Sequence, residues 1–220
     1  MDSFRTPVTL TGRWVALVPL SPAQAPALLA AAWDPEVSRY ILRGPGKTLE
    51  DVQSLITLRL SEREAGTGLP FATVLRSDNR PVGMTGYLHI DRENRSVEVG
   101  GTWLDSALWR TPLNTETKYL LFRHAFEVEM VHRITLQTDV RNERSQRAIE
   151  RLGAVREALM RDDKLRADGS YRSSVFYGLL VSEWPVVKAR LEKLLAQEWE
   201  MPLSSGPSSE IGSDPGRKGG

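Results

Sequence analysis

The sequence predicts a two- or three-layer α/β sandwich built around one mixed sheet. Three observations lead there. Stretches of alternating apolar and polar residues, 71–76 and 82–90, are joined by a polar turn at Asp78-Asn79, the pattern of an antiparallel hairpin. Apolar residues at helical spacing follow over 114–130 and again after Asn142, so the later strands must be reached by crossovers. Gly100 and Gly101 stand side by side inside a strand pattern, where glycine weakens the strand and marks a bulge or a close backbone approach.

Taken in order, residues 6–10 and 14–18 alternate as two short strands, or one interrupted at Thr11-Gly12. Ser21 caps a helix with Pro22 in its first turn, and Ala27, Leu28, Ala31 and Ala32 carry it to Trp33. Asp34-Pro35 restarts a short helix holding Val37, Tyr40 and Ile41. Thr48 and Asp51 form a capping-box-like start for a helix over Val52, Leu55, Ile56, Leu58 and Leu60, closed by Gly66 and Gly68. After the hairpin, a turn at 91–95 returns the chain antiparallel into a strand over 97–104. Helix 114–130 carries Tyr119, Phe122 and Phe126 beside Leu121, Ala125 and Val128, a face wide enough to be covered by a sheet. Residues 133–139 form a strand, Asn142 leads a helix ending at Gly153, and 154–160 and 173–181 are strands around an Asp168-Gly169 turn. Trp184, Val187, Leu191, Leu194 and Leu195 mark a last helix. The expectation is a single domain over 1–200 and a disordered tail rich in Ser, Gly and Pro over 201–220.

Composition narrows the function classes. The 220 residues are 40% hydrophobic, enough for a real core. Twenty-nine basic against 28 acidic residues leave a net charge of +1, which gives no bulk electrostatic case for a nucleic-acid or membrane partner. The absence of cysteine excludes disulfides, thiolate metal sites and a cysteine nucleophile. His89, His124 and His132 lack metal-ligand spacing, so structural roles and no metal are expected. No apolar run reaches the ~18 residues of a membrane span, and residues 1–7 do not read as a signal peptide. The expected protein is cytoplasmic, a monomer or homodimer.

The stretch from Ser96 to Gly153 carries the ligand argument. A strand that splays after Gly100 leaves Thr102, Trp103 and Leu104 with unpaired N–H and C=O groups, which an extended ligand bearing amides satisfies as if it were an added strand. Pantetheine is such a ligand. The loop over 105–113 then delivers the chain to a helix start where Asn114 or Thr115 can cap, and free amides with the helix dipole favour a phosphate there. Arg110, Thr111 and Leu113 lie on that approach. The combination points to coenzyme A.

The same stretch resembles the GNAT superfamily of N-acetyltransferases, nearest to the branch that acetylates ribosomal-protein N-termini. The resemblance rests on Glu98-Val99-Gly100, Trp103-Leu104-Asp105, Asn114-Thr115-Glu116, Ala125-Phe126, His132-Arg133, Asn142, Ser145 and Leu152-Gly153. It continues through Asp168-Gly169, Tyr171-Arg172 and Glu183-Trp184. It implies a mostly antiparallel sheet opened into a V at the strand after Glu98, with helices on both faces. It also implies acetyl-CoA as cosubstrate and direct acetyl transfer to a primary amine, either a protein or peptide N-terminus or a small molecule.

Such a reaction needs an unprotonated amine, stabilisation of a tetrahedral oxyanion and a proton for the leaving thiolate. Glu98 lies at the position where family members often keep a catalytic glutamate; its alternative is a strand-face carboxylate paired with Arg95 or another cation. Glu116 is the second candidate, although the helix dipole alone explains it. Much of the superfamily uses a tyrosine as acid where this chain has Ile149. The ribosomal branch instead uses a serine at the place of Ser145, with Asn142 bonding a pantetheine amide; helix capping is the alternative for both. The oxyanion donor would be a backbone N–H near Gly101 or Thr102. The phosphate loop departs from the family pattern in either register, because its glycines are missing and Pro112 has no N–H. Arg110 and Lys118 are the residues that would compensate. Trp33, Tyr40, Trp109 and Tyr177 line an acceptor pocket or pack the core. Two other classes remain open: a non-catalytic acyl-CoA-binding or interaction module, and nucleic-acid binding through Arg141, Arg144, Arg147 and Arg151.

Overall fold

A computed structural model of the chain describes residues 4, 6–42, 46–166 and 168–199; the expected tail over 201–220 lies outside the described residues. The elements in order are β1 (Leu10–Thr11), β2 (Val15–Pro19), α1 (Ala25–Ala31), α2 (Pro35–Ser38), α3 (Leu49–Glu64), β3 (Leu69–Leu75), β4 (Pro81–Asp91) and β5 (Ser96–Leu104). Then come α4 (Leu113–Arg123), β6 (Arg133–Asp139), α5 (Glu143–Arg151), β7 (Val155–Leu165), β8 (Tyr171–Leu180) and α6 (Trp184–Leu195). The strands form one sheet in the order β1-β2-β3-β4-β5-β6-β8-β7. Every neighbouring pair is antiparallel except β5 with β6. This is the mixed, mostly antiparallel sheet that the sequence predicts.

Helices cover both faces. Because side chains alternate along a strand, Val97 and Val99 of β5 share a face with Ile134 and Leu136 of β6 and with Val175, Tyr177 and Leu179 of β8. That face packs against Leu120, Leu121 and Phe122 of α4, Ile149 of α5, and Trp184 and Leu191 of α6. On the other face, Ala72, Val74, Met84 and Trp103 pack against Leu28 of α1 and Val52, Leu55 and Ile56 of α3.

Several local predictions hold for the reason given. Thr48 Oγ1 accepts from Asp51 N at 3.1 Å and Asp51 Oδ2 accepts from Thr48 N at 2.9 Å, a closed capping box. Three details differ. Residues 7–9 are not strand, because Gly12 N donates to Val15 O at 2.8 Å and the tight turn leaves Leu10 and Thr11 alone to pair with β2. The helix after Ser21 opens as a 3₁₀ turn over Pro22–Gln24, since Pro26 has no N–H to donate back one full turn. The helix expected to run to 130 is α-helical only to Arg123 and loosens into a π turn over His124–Val128.

Candidate active site

The sheet parts beside Glu98. β5 pairs with β6 only at Ser96–Arg133, Val97–Ile134 and Glu98–Thr135. Its other edge stays joined to β4, through Gly100–Gly86, Trp103–Met84 and Leu104–Gly83. The glycine pair placed the splay after Gly100, leaving Thr102, Trp103 and Leu104 with unpaired N–H and C=O groups, while the resemblance put the opening after Glu98. The parting in fact follows Glu98 and is one-sided, because a bulge at Gly101 (φ +61°) absorbs the extra residue and keeps the β4 ladder intact. The unpaired edge over 99–104 faces β6 across a widening gap. Trp103 and Leu104 bury their side chains in the core, so only their backbone can serve this edge.

Glu98 sits at the vertex, 8% exposed. Its Oε2 lies 3.0 Å from His89 Nδ1 and accepts from Gln137 Nε2 at 2.7 Å; Arg95 is not its partner. Burial pushes the carboxyl upward, but the hydrogen bonds from His89 and Gln137 outweigh it and hold the pKa below the ordinary value. Glu98 is therefore a carboxylate at neutral pH. Gly100 makes room for it, since a Cβ there would stand 2.8 Å from Glu98 Oε1. His89, expected to be structural, reaches this carboxylate from an irregular step of β4 where it adopts φ +48°. Gln137 in turn accepts from Lys164 Nζ at 2.6 Å, which continues the polar chain toward β7.

Lys118 is not a surface phosphate contact. It lies buried on the apolar stripe formed by Leu121 and Phe122 of α4 and continued by Ala125 of the π turn, and its Nζ donates to Thr102 Oγ1 in the part of β5 that β6 leaves unpaired. Thr102 Oγ1 also lies 2.7 Å from Thr85 Oγ1. Burial, opposed by the charge of Glu98, brings the lysine down to about 7. The sequence signal was present: position 118 falls three, four and seven residues before core positions.

Glu116 is no base. It is buried in the first turn of α4 and accepts from the backbone N–H groups of Arg13, Trp14 and Val15, the last two at 2.8 Å. This carboxylate stitches α4 to the β1–β2 corner.

The loop before α4 is built without glycine. Asp105 caps a 3₁₀ turn over Ser106–Leu108, Trp109 Nε1 donates to Leu104 O at 3.0 Å, and the Arg144 guanidinium stacks 3.4 Å from the Trp109 ring. Arg110 takes the left-handed conformation, φ +64°. The N-cap of α4 is Pro112, not Asn114 or Thr115, which lie inside the first turn. Thr111 Oγ1 donates to Leu108 O at 2.7 Å and accepts weakly from Leu113 N at 3.4 Å. The amides of Leu113, Asn114 and Thr115 have no carbonyl one helical turn back within α4, the arrangement that suits an anion. Beyond β6, Asn142 Oδ1 accepts from Ser145 N at 3.1 Å and caps α5. The Ser145 hydroxyl makes no hydrogen bond among the described residues.

Of the four aromatic candidates, Tyr177 belongs to the core and donates to Glu150 at 3.1 Å, whereas Trp33 is 79% exposed. Arg141, Arg144 and Arg147 do not form a free basic stripe: they engage Asp139, Trp109 and Glu143 respectively. Among the described residues, no group of three or more His, Asp or Glu is placed to hold a metal ion, and no helix is long and apolar enough to cross a membrane.

Residues 15–155, more than half the chain, match the family model described as acetyltransferase (GNAT) domain. The chain belongs to the GNAT acetyltransferase family. A GNAT relative, named "Putative ribosomal N-acetyltransferase YdaF" in Bacillus subtilis (strain 168), is 31% identical over 107 residues, 49% of this chain and 57% of that protein. The chain thus spans little more than half the length of this curated relative. Among solved structures, a "putative acetyltransferase" from T. thermophilus is 40% identical, with a TM-score of 0.79 over 86% of this chain and 98% of that one. The GNAT fold is shared with Mycobacterium smegmatis RimJ in complex with CoA-disulfide, 21% identical, with a TM-score of 0.77 over 89% of this chain and 98% of that one.

Proposed function

We propose that the protein transfers the acetyl group of acetyl-CoA to a primary amine by direct attack, without a covalent enzyme intermediate. The observation that carries this reading is the one-sided parting of β5 from β6, with the Glu98 carboxylate at its vertex. The free edge over 99–104 offers backbone partners to pantetheine amides, and the amides of Leu113, Asn114 and Thr115 with the nearby Arg110 offer an anion site for the pyrophosphate. Asn142 and Ser145 stand at the start of α5, after the strand that forms the other side of the gap.

Glu98 accepts, through a water, the proton that the amine loses. An α-amine with a pKa near ~8 is already roughly a tenth neutral at pH 7, so a carboxylate of low pKa suffices for it, whereas a lysine near ~10.4 is almost wholly charged. The amine nitrogen adds to the thioester carbonyl and forms the C–N bond. A backbone N–H near Gly101 or Thr102 holds the oxyanion. The C–S bond then breaks, and the thiolate leaves with a proton from Ser145, which solvent restores to the serine as Glu98 gives up the proton it took from the amine. The acceptor class favoured by this chemistry is a peptide N-terminus or a small amine of comparable pKa, in keeping with the ribosomal acceptor in the name of the YdaF relative.

Thiol release from acetyl-CoA across peptide N-termini, polyamines and aminoglycosides tests the reading, together with calorimetry of coenzyme A. The expected outcome is amine-dependent release that Glu98→Gln slows at least about tenfold while coenzyme A still binds. The glycine-free loop at Arg110 and Pro112 favours a second reading, a non-catalytic acyl-CoA-binding or protein-interaction module; absence of coenzyme A binding would point to the interaction module instead.

A further inference from the structure

The face of the sheet that carries Glu98 continues past the gap as a polar surface. Cross-strand partners share a face, so Glu98–Thr135, Gln137–Phe176, Asp139–Ser174 and Lys164–Arg172 place Glu98, Gln137, Asp139, Arg172 and Lys164 on one side. The helices on that side, α1 and α3, pack over β3 and β4, short of β8 and β7. Arg172 is anomalous there. It is 7% exposed, yet its one hydrogen bond is from Nε to Ser174 Oγ at 3.0 Å, and among the described residues no carboxylate lies within ion-pair distance of it. Asp139, on the same face, is already engaged by Arg166 and by Arg141 at 3.5 Å. Asp139 and Asp163 attract this guanidinium without forming an ion pair with it, and its terminal nitrogens make no hydrogen bond among the described residues, so a carboxylate from outside supplies the close partner they lack. The Nη edge matches a carboxylate with two parallel hydrogen bonds.

We propose that the acceptor is an amine that also bears a carboxylate, with the amine at Glu98 and the carboxylate between Arg172 and Lys164. The inference rests on the acetyl-transfer reading and names the acceptor class of that site. Lys164 Nζ is separated from Glu98 by the single side chain of Gln137, through contacts of 2.6 and 2.7 Å, so the anion end lies within a small acceptor's reach of the amine end. Amino acids, and peptides whose first residues are acidic, meet this description.

The test uses acceptors matched in amine basicity that differ in the carboxylate: γ-aminobutyrate against butylamine, and an Ala-Asp against an Ala-Asn peptide amide. Thiol release is measured for each, and calorimetry at saturating coenzyme A reads acceptor binding independently of turnover. The carboxylate member of each pair should be preferred by at least about tenfold in kcat/KM, mainly through KM. Arg172→Gln should bring that ratio close to one, with Arg172→Lys retaining part of it. If Arg172→Gln fails to fold, Lys164→Met reads the same ratio. Equal use of both members, a preference that survives Arg172→Gln, or better use of O-phosphoethanolamine than of γ-aminobutyrate would each overturn the proposal. Failure to bind coenzyme A would instead strike at acetyl transfer itself, which keeps the two failures apart.

Discussion

His89 Nδ1 lies 3.0 Å from Glu98 Oε2, joining an exposed imidazole on β4 to the buried carboxylate at the vertex of the gap. The hydrogen bond to Glu98 raises the histidine pKa against the opposing effect of its partial burial, while the same contact helps keep Glu98 below its ordinary range. Removing His89 takes away one of the influences holding Glu98 down, so its pKa rises. In His89→Ala the acid limb of the kcat/KM profile should therefore move to higher pH, with activity several-fold lower near pH 5 and little changed near pH 8. A pH–rate profile of both proteins decides it, and an unmoved limb would remove His89 from the site.

Lys118 makes a prediction about stability. The unfolded chain keeps this proton up to its ordinary value of 10.5, whereas burial lets the folded chain release it near 7. Between those limits unfolding takes up a proton, so the lysine's contribution becomes less destabilising as pH rises; below 7 both states hold the proton and the whole burial penalty is felt. Lys118→Met should raise the thermal midpoint at pH 6.5 by at least about 3 °C and flatten its rise toward pH 10. Calorimetric scans at three pH values would show it. A variant that melts lower at every pH would contradict it.

Glu116 should act on stability and not on catalysis. Glu116→Gln leaves one oxygen for the three amides that a carboxylate now serves, at a cost of about 2 to 3 kcal/mol. Gly12→Ala should be comparably harmful, because its Cβ would stand 2.4 Å from Glu116 Cδ. Urea titration measures both losses, and kcat/KM below the melting range should stay within about threefold. A large kinetic loss with normal stability would return Glu116 to the list of candidate bases.

Arg110 pulls in two directions. Its left-handed backbone is strained for a residue with a side chain, at about 1 kcal/mol. It is also a cation three residues before the first amide of α4. Arg110→Gly should therefore leave the fold equally or slightly more stable while weakening coenzyme A binding several-fold and reducing the salt dependence of that binding. Parallel melts and salt-series calorimetry separate the two effects.

The sheet and its helices were legible because burial imposes periodicity on both. Strand alternation over 133–139 and the Thr48–Asp51 cap needed nothing beyond local chemistry. The gap itself was legible in Gly100 and Gly101, but not which edge would open, since that depends on how far β6 diverges after Thr135. Local rules pointed to Asn114 or Thr115 as the cap of α4, yet the tertiary anchoring of Trp109 to Leu104 and Arg144 starts the helix earlier, at Pro112. His89, Gln137 and Lys164 could not be joined to Glu98 by reading along the chain, because four strands contribute one residue each to that polar line.

The half-finished ladder of β5 has a mechanical consequence. With one rail missing over 99–104, the two halves of the sheet are hinged at three residue pairs and free to breathe beyond them. A cosubstrate that supplies the missing rail would splint those halves together, so the amide hydrogens of this stretch that point away from β4 should exchange quickly in the empty protein and slow selectively once coenzyme A is added.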